Sequence, residues 1–352
     1  MPNNLVRGNM PIKLTFIKDG VKYIRNASFL AVFCLAFLPI FCAYSAVYVF
    51  PEEDRRAPFV TLIKSAQHTI RMAVYRFDDK PIAEALIFAA KKGVKITLLK
   101  EGNVWQYTDD SPSQGEGLAF SALRHPNIRI TGTPTHFDQT HSKAVIVDEK
   151  SAIISTANFC DMDTPLDRDF AIEVVDPHII RGLIHVFDKD ADNKRVVPPA
   201  SDSIVWGPDH QRSTFLKMIN GAKKRIWIYQ QDLQDIPIAK ALSAAAREGV
   251  DIRVLMMEMP FGQKIGNRNL PNQRLLVKAG AKVMFIDTSY RNIHAKVMVS
   301  DDEMYIGSCN LYTPSIDQTR ELGMVTKDPS HLKKVVETFE KDWKESTSLT
   351  LQ

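Results

Sequence analysis

The sequence predicts an α/β protein made of two like halves, and three observations predict it. Phe59 to Leu99 can be laid on Phe215 to Leu255 without a gap, at a constant offset of 156 residues, so that Phe59 meets Phe215, Ile70 meets Ile226 and Pro81 meets Pro237. Each copy reads helix, strand, polar turn, helix, strand, the alternation of a layered α/β fold. A nine-residue motif about 40 residues beyond each copy also occurs twice. Register kept through a turn and two strands marks an internal duplication.

Taken in order, residues 1–46 form a leader. Arg7, Lys13, Lys18, Lys22 and Arg25 stand there against Asp19 alone, and Ser28 to Phe50 carries no charge. That polarity predicts a signal peptide or a single membrane anchor, with the body exported or held on the translocated side. Small residues at Ala43, Ser45 and Ala46 resemble a cleavage site. The run "VYVF" from Val47 matches "SIVW" from Ser203, with Val49 on Val205, so it reads as the first strand of a half and leaves Ser28 to about Ala46 for membrane contact.

The first half spans 47–198 and the second 199–352, joined through "DNKRVVPPASD", Asp192 to Asp202, where two prolines break regular structure. In each half an Ala- and Leu-rich helix, "IAEALIFAAKK" or "IAKALSAAARE", ends at Gly93 or Gly249, the residue suited to a helix C-terminus. The strands "VKITLL" and "VDIRVL" follow. Beyond them lie two Gly-, Pro- and Asn-rich loops. One holds Trp105 and Tyr107 and the other holds Lys264, Arg268 and Arg274.

Composition excludes little. Of 352 residues 45% are hydrophobic and 24% charged, which is ordinary for a folded protein. The formal charge of +4 resides in the leader; the body beyond residue 46 carries 40 basic and 40 acidic residues and gives no general support to a nucleic-acid binder. Four cysteines, two of them in the leader (Cys34, Cys42), make no disulfide framework. Cys160 and Cys309 read as small buried residues, and His136 as a loop residue without the Cys or acidic cluster of a zinc site.

The chemistry is carried by "THSKAVIVD", Thr140 to Asp148, and "IHAKVMVSD", Ile293 to Asp301. His141, Lys143 and Asp148 match His294, Lys296 and Asp301 at identical spacing. On a continuous strand the His and Lys would share one face ahead of a buried apolar run, where cationic groups are expensive to desolvate. A strand ending in "STAN" at Asn158 or "GSCN" at Asn310 follows each motif, and then an Arg-acid pair, Arg168-Asp169 or Arg320-Glu321. A single His-x-Lys would be read as a core histidine beside a snorkelling lysine. The duplicate argues against that.

These residues resemble the phospholipase D superfamily, whose twin HxKxxxxD motifs followed by GSxN they reproduce over nearly all of the body, from Val47 to Trp343. The one departure is Ser155 where the pattern has glycine, which matters only if the backbone there is crowded. The resemblance implies two duplicated halves, each a mixed β-sheet flanked by helices, related by a pseudo-twofold axis that brings both motifs into one cleft. It also implies metal-independent phosphodiester chemistry with no cofactor. Lys143, Lys296, Asn158 and Asn310 would clamp the phosphate oxygens. One imidazole, His141 by resemblance, would attack phosphorus to give a phosphohistidine, and His294 would serve as acid and base. Asp169 and Glu321 would orient the rings, while Asp148 and Asp301 would hold turns. Within the family the expected substrate is a phospholipid, hydrolysed or transferred to an alcohol. A nuclease using the basic loop residues and Trp105 is the alternative, and a tethered binding protein with a dead site is a third reading that the complete set of catalytic residue types disfavours.

Overall fold

The computed structural model describes residues 45–102, 118–160, 167–260, 262, 265–287 and 292–349. The leader through Tyr44, the Trp105 and Tyr107 stretch and Lys264 lie outside the described residues. Among those described, no helix is long and apolar enough to cross a membrane.

The first half runs β1 (Val47–Phe50), α1 (Ala57–Ser65), β2 (Thr69–Val74), α2 (Lys80–Lys91), β3 (Lys95–Lys100), α3 (Leu118–Ser121), β4 (Ile128–Gly132), β5 (Ala144–Val147), β6 (Ser151–Ser155), β7 (Asp167–Val174) and α4 (Pro177–Ala191). The second runs β8 (Ile204–Trp206), α5 (Gln211–Gly221), β9 (Arg225–Tyr229), α6 (Ile236–Arg247), β10 (Asp251–Met256), α7 (Leu270–Lys278), β11 (Lys282–Ile286), β12 (Asn292–Ile293), β13 (Val297–Ser300), β14 (Glu303–Gly307), α8 (Thr313–Asp317), β15 (Leu322–Thr326), α9 (Pro329–Lys344) and β16 (Ser346–Ser348).

The duplicated helices begin and end alike for local reasons. Asp79 accepts from the Ile82 N–H at 3.0 Å to cap α2, and Asp235 accepts from the Ile238 N–H at 2.9 Å to cap α6, each with a proline in the first turn. Past the C-terminal end of each helix, Gly93 and Gly249 take φ of +95° and +91°, a left-handed conformation that glycine adopts without strain.

Both sheets are mixed and share one strand order. The first is β1-β7-β6-β5-β2-β3-β4 and the second β8-β15-β14-β13-β9-β10-β11, with β16 added at its end. In each, the pairs joined through a helix are parallel, β2 with β3 and β9 with β10, while the strands carrying the motifs are antiparallel. The inner faces of the two sheets, together with α4 and α9, enclose one shared core containing Ile146, Phe170, Leu183, Val297, Ile306 and Phe339. On the outer faces α1 and α2 cover the first sheet, and α5 and α6 the second. Strand β5 is buried on both sides, Ala144 and Ile146 in the shared core and Val145 and Val147 under the outer helices, which explains its unbroken apolar run.

The expectation that His141 and Lys143 begin a continuous strand is corrected by the structure. Strand β5 starts at Ala144, and residues 139–142 leave their own sheet to pair with the other half. The Arg320 N–H donates to Gln139 O at 2.8 Å, and the His141 and Ser142 N–H groups donate to Arg320 O at 2.9 and 3.2 Å. The second half repeats the exchange: β12 lies parallel on β7, with Ile293 opposite Arg168, and the His294 N–H donates to Arg168 O at 3.2 Å.

Candidate active site

That exchange of backbone sets the site. Because each motif histidine is tied by its own N–H to the arginine of the other half, its ring falls beside the acidic residue that follows that arginine. His141 Nδ1 lies 3.0 and 3.1 Å from the two oxygens of Glu321, and His294 Nδ1 lies 2.9 Å from Asp169 Oδ1. A carboxylate only accepts, so Nδ1 carries a proton and Nε2 is the nitrogen left to bond phosphorus or to exchange a proton. The expected orienting acids are thus placed against the expected rings, each across the boundary between halves.

Hydroxyls fix the carboxylates in turn. Thr156 Oγ1 donates to Asp169 Oδ1 at 2.5 Å; Ser308 Oγ donates to Glu321 Oε2, and Ser315 Oγ to Oε1 at 2.5 Å. Burial alone would raise both acids, but His294 and Arg55 hold Asp169 below the usual carboxylate range, and His141 and Lys143 do the same for Glu321. Burial pushes the His141 ring down to about 4 against the upward pull of Glu321. It also lowers His294, with Lys296 acting in the same sense.

Lys143 and Lys296 are both fully buried, and each donates to the carbonyl oxygen of its own motif histidine. Burial holds Lys143 well below the ordinary lysine value, with Lys296 acting in the same sense and Glu321 against it, and brings Lys296 down to about 8 against the upward pull of Asp169 and Glu321. Two desolvated ammonium groups in one place favour the arrival of an anion, which would return both to full charge. Asn158 Oδ1 and Asn310 Oδ1 are buried without a hydrogen-bond partner, a matched pair of side chains whose polar ends are left for something else. A cavity of about 490 Å³ adjoins His141, Asn310 and Glu321, with Tyr75, Asp232 and Arg268 on its walls. One of about 210 Å³ adjoins His294, Asn158 and Asp169, with Arg55, Arg76 and Gln231.

The glycine departure has a steric explanation. A Cβ on Gly307 would stand 2.3 Å from Tyr305 Oη and 2.6 Å from Gly323 Cα, since the Tyr305 ring lies across this β14–β15 pair. The first half has Ile153 and Ala171 at the corresponding places, so no ring occupies the space, and the Ser155 hydroxyl accepts from the Ala157 N–H at 2.9 Å. Ser155 therefore fits where a side chain on Gly307 would not.

Asp148 and Asp301 lie away from the rings. Asp148 accepts from the N–H groups of Gln67, His68 and Thr69 at 2.6–2.8 Å, and Asp301 from those of Lys223, Lys224 and Arg225 at 2.7–2.9 Å. Each fastens the turn after its motif to the loop before β2 or β9. Cys160 and Cys309 are buried and form no disulfide, and His136 sits in a loop against Phe137. Among the described residues no group of three or more His, Cys, Asp or Glu is placed to hold a metal ion.

Sequence reasoning missed several neighbours of the rings. Thr156 and Ser308 did carry a signal, since both stand second in the quartets "STAN" and "GSCN". Arg55 carried none: it donates through Nη2 to Asp169 Oδ2 at 2.9 Å, but its counterpart at the repeat offset is Gln211. Nor did Tyr75, whose ring meets His141 edge-on at 4.6 Å between centroids.

Comparison with known proteins bears on the family and the fold. A cardiolipin synthase of Clostridium perfringens is 27% identical over 334 residues, covering 82% of this chain and 68% of its own length. Among solved structures, phosphatidylserine synthase of Haemophilus influenzae matches with a TM-score of 0.63 at 11% identity, over 86% of this chain and 87% of that one. Polyphosphate kinase of Porphyromonas gingivalis matches at 0.66 and 16% identity, over 87% of this chain and 48% of that one, so the same fold serves different substrates. The family model described as "Cardiolipin synthase, PLD-like domain" matches residues 59–191 and again 215–343, and the chain belongs to that phospholipase D-like family.

Proposed function

We propose that the protein transfers phosphatidyl groups of phospholipids to an alcohol or to water through a phosphohistidine, without a metal ion. The observation that carries the chemistry is the pair of histidines with Nδ1 held by a carboxylate of the opposite half and Nε2 left to act. The lipid substrate is supported by the relatives, which are named for cardiolipin synthesis, and by the body's balanced charge.

In the first step one imidazole Nε2 forms a bond to phosphorus while the P–O bond to the departing alcohol breaks, and that oxygen takes a proton from the second imidazole. In the second step the incoming hydroxyl gives its proton to the second imidazole as its oxygen bonds phosphorus and the N–P bond breaks. Lys143 and Lys296 would neutralise the non-bridging oxygens, the task a metal performs elsewhere, and the amide N–H groups of Asn158 and Asn310 would donate to them. Asp148 and Asp301 would hold the motif turns without touching substrate.

Purified full-length protein incubated with phosphatidylglycerol vesicles in excess chelator is expected to release glycerol and to form phosphatidic acid or, with added alcohol, its ester, identified by mass. An absolute requirement for zinc or magnesium would contradict the two-lysine clamp, and cleavage of oligonucleotides without lipid turnover would contradict the substrate.

A further inference from the structure

The two histidine–carboxylate pairs match in geometry but differ in charge. Glu321 is held by His141 and by two hydroxyls, Ser308 and Ser315, with Lys143 as a nearby cation but no guanidinium among its described contacts. Asp169 is held by His294, by the hydroxyl of Thr156, and by a guanidinium, Arg55, whose side chain is 5% exposed against 0% for the acid. Gln211, at the position equivalent to Arg55, turns elsewhere and donates to Tyr305 Oη at 2.8 Å. The duplication thus supplied a ring and an acid twice, an aspartate on one side and a glutamate on the other, and the Arg55 guanidinium lies against the aspartate.

We infer that Arg55 is a positioning residue that assigns the proton-carrying role to His294, by cancelling the charge of Asp169 so that the ring gives up its proton. A carboxylate bearing its full charge stabilises a cationic imidazole, and one paired with arginine does so less. On the other side Glu321, with Lys143 near it but no guanidinium among its described contacts, faces the positive charge that His141 acquires when its Nε2 bonds phosphorus. Among the described residues, the titratable and charged groups around His294 are Asp169 and Asp167 from β7, Lys296 from its own segment, and Arg55, Arg76 and Cys160 on the cavity wall. Asp167 shares Arg55 at 3.4 Å and is the exposed end of that ion pair, at 28%.

The inference rests on the phosphohistidine route proposed above and is tested by the pH profile of kcat/KM, which follows the protonated histidine that releases the first alcohol. In Arg55→Gln the bare carboxylate holds the proton to higher pH, so the alkaline limb is expected to move up by about one pH unit. Arg55→Lys keeps the charge and should leave the limb near its wild-type position. Asp167→Asn, a change at the exposed end that spares the buried pair, should move the limb down. A limb unmoved in folded Arg55→Gln, or moved up in Asp167→Asn, overturns the inference, whereas a structural role for Arg55 would lower the rate without moving the limb. The profile is read on whichever donor the wild-type protein cleaves, phosphatidylglycerol or an oligonucleotide, so failure of the lipid assignment and failure of this inference are separate results.

Discussion

Replacing His141 or His294 by asparagine is expected to lower phosphatidyl transfer by about 10⁴-fold or more, and replacing both should lower it little further, because residues that act as one unit are strongly non-additive. Asparagine keeps a polar side chain near the carboxylate but has no Nε2 to attack phosphorus or to hand over a proton. Initial rates on phosphatidylglycerol vesicles, with circular dichroism to show that each variant is folded, make the measurement. A single variant retaining a tenth of the activity, or a double variant slower than either single one by the product of both losses, would mean that the two rings act on separate events.

Asp342→Ala is expected to destabilise the fold by about 3–5 kcal/mol, the usual effect of removing one partner from a buried ion pair. Arg168 and Asp342 are both fully buried and come from opposite halves. Nε and Nη2 of Arg168 donate to the two oxygens of Asp342 at 2.6 and 2.8 Å, and Tyr229 Oη donates to the same carboxylate at 2.7 Å. Truncation leaves a guanidinium and a phenol in the core with fewer acceptors, although Phe50 O and Glu52 still receive Arg168. Glu337→Gln serves as the comparison: its pair with Lys333 spans 3.9 Å with the two side chains 64% and 75% exposed, and its loss should change stability by less than about 0.5 kcal/mol. Equilibrium unfolding in urea resolves the two. Equal midpoints would show that the central pair does not hold the halves together.

That pair explains what could and could not be read in the sequence. The halves, their helices and the strands β2, β3, β9 and β10 were legible because each depends on local periodicity, caps and a repeat offset that survives in Pro81 and Gly93 as in Pro237 and Gly249. The rings and their acids were legible because the motif is duplicated. What the sequence did not convey is the crossing of chain between halves. His141 leaves its strand because Arg320, about 180 residues later in the chain, supplies the backbone partner, and no local pattern encodes a contact at that separation. Arg320 and Asp190 repeat the Arg168–Asp342 arrangement, with Arg320 Nη2 donating to Asp190 Oδ1 at 3.2 Å. A trace of both pairs does exist, since "FDKD" ending at Asp190 matches "FEKD" ending at Asp342. Arg55 left no trace, because it is what the duplication does not share.

The most direct test is the stoichiometry of the covalent intermediate. Wild-type protein reacting with phosphatidylglycerol is quenched in base, which preserves phosphohistidine, and the intact chain and its peptides are weighed by mass spectrometry. One phosphatidyl adduct per chain, on one motif histidine, with the other ring always unmodified, is the expected result of two imidazoles serving a single phosphorus atom. Chains carrying adducts on both histidines at once would mean two independent sites, and turnover with no adduct on either would remove the imidazole as nucleophile.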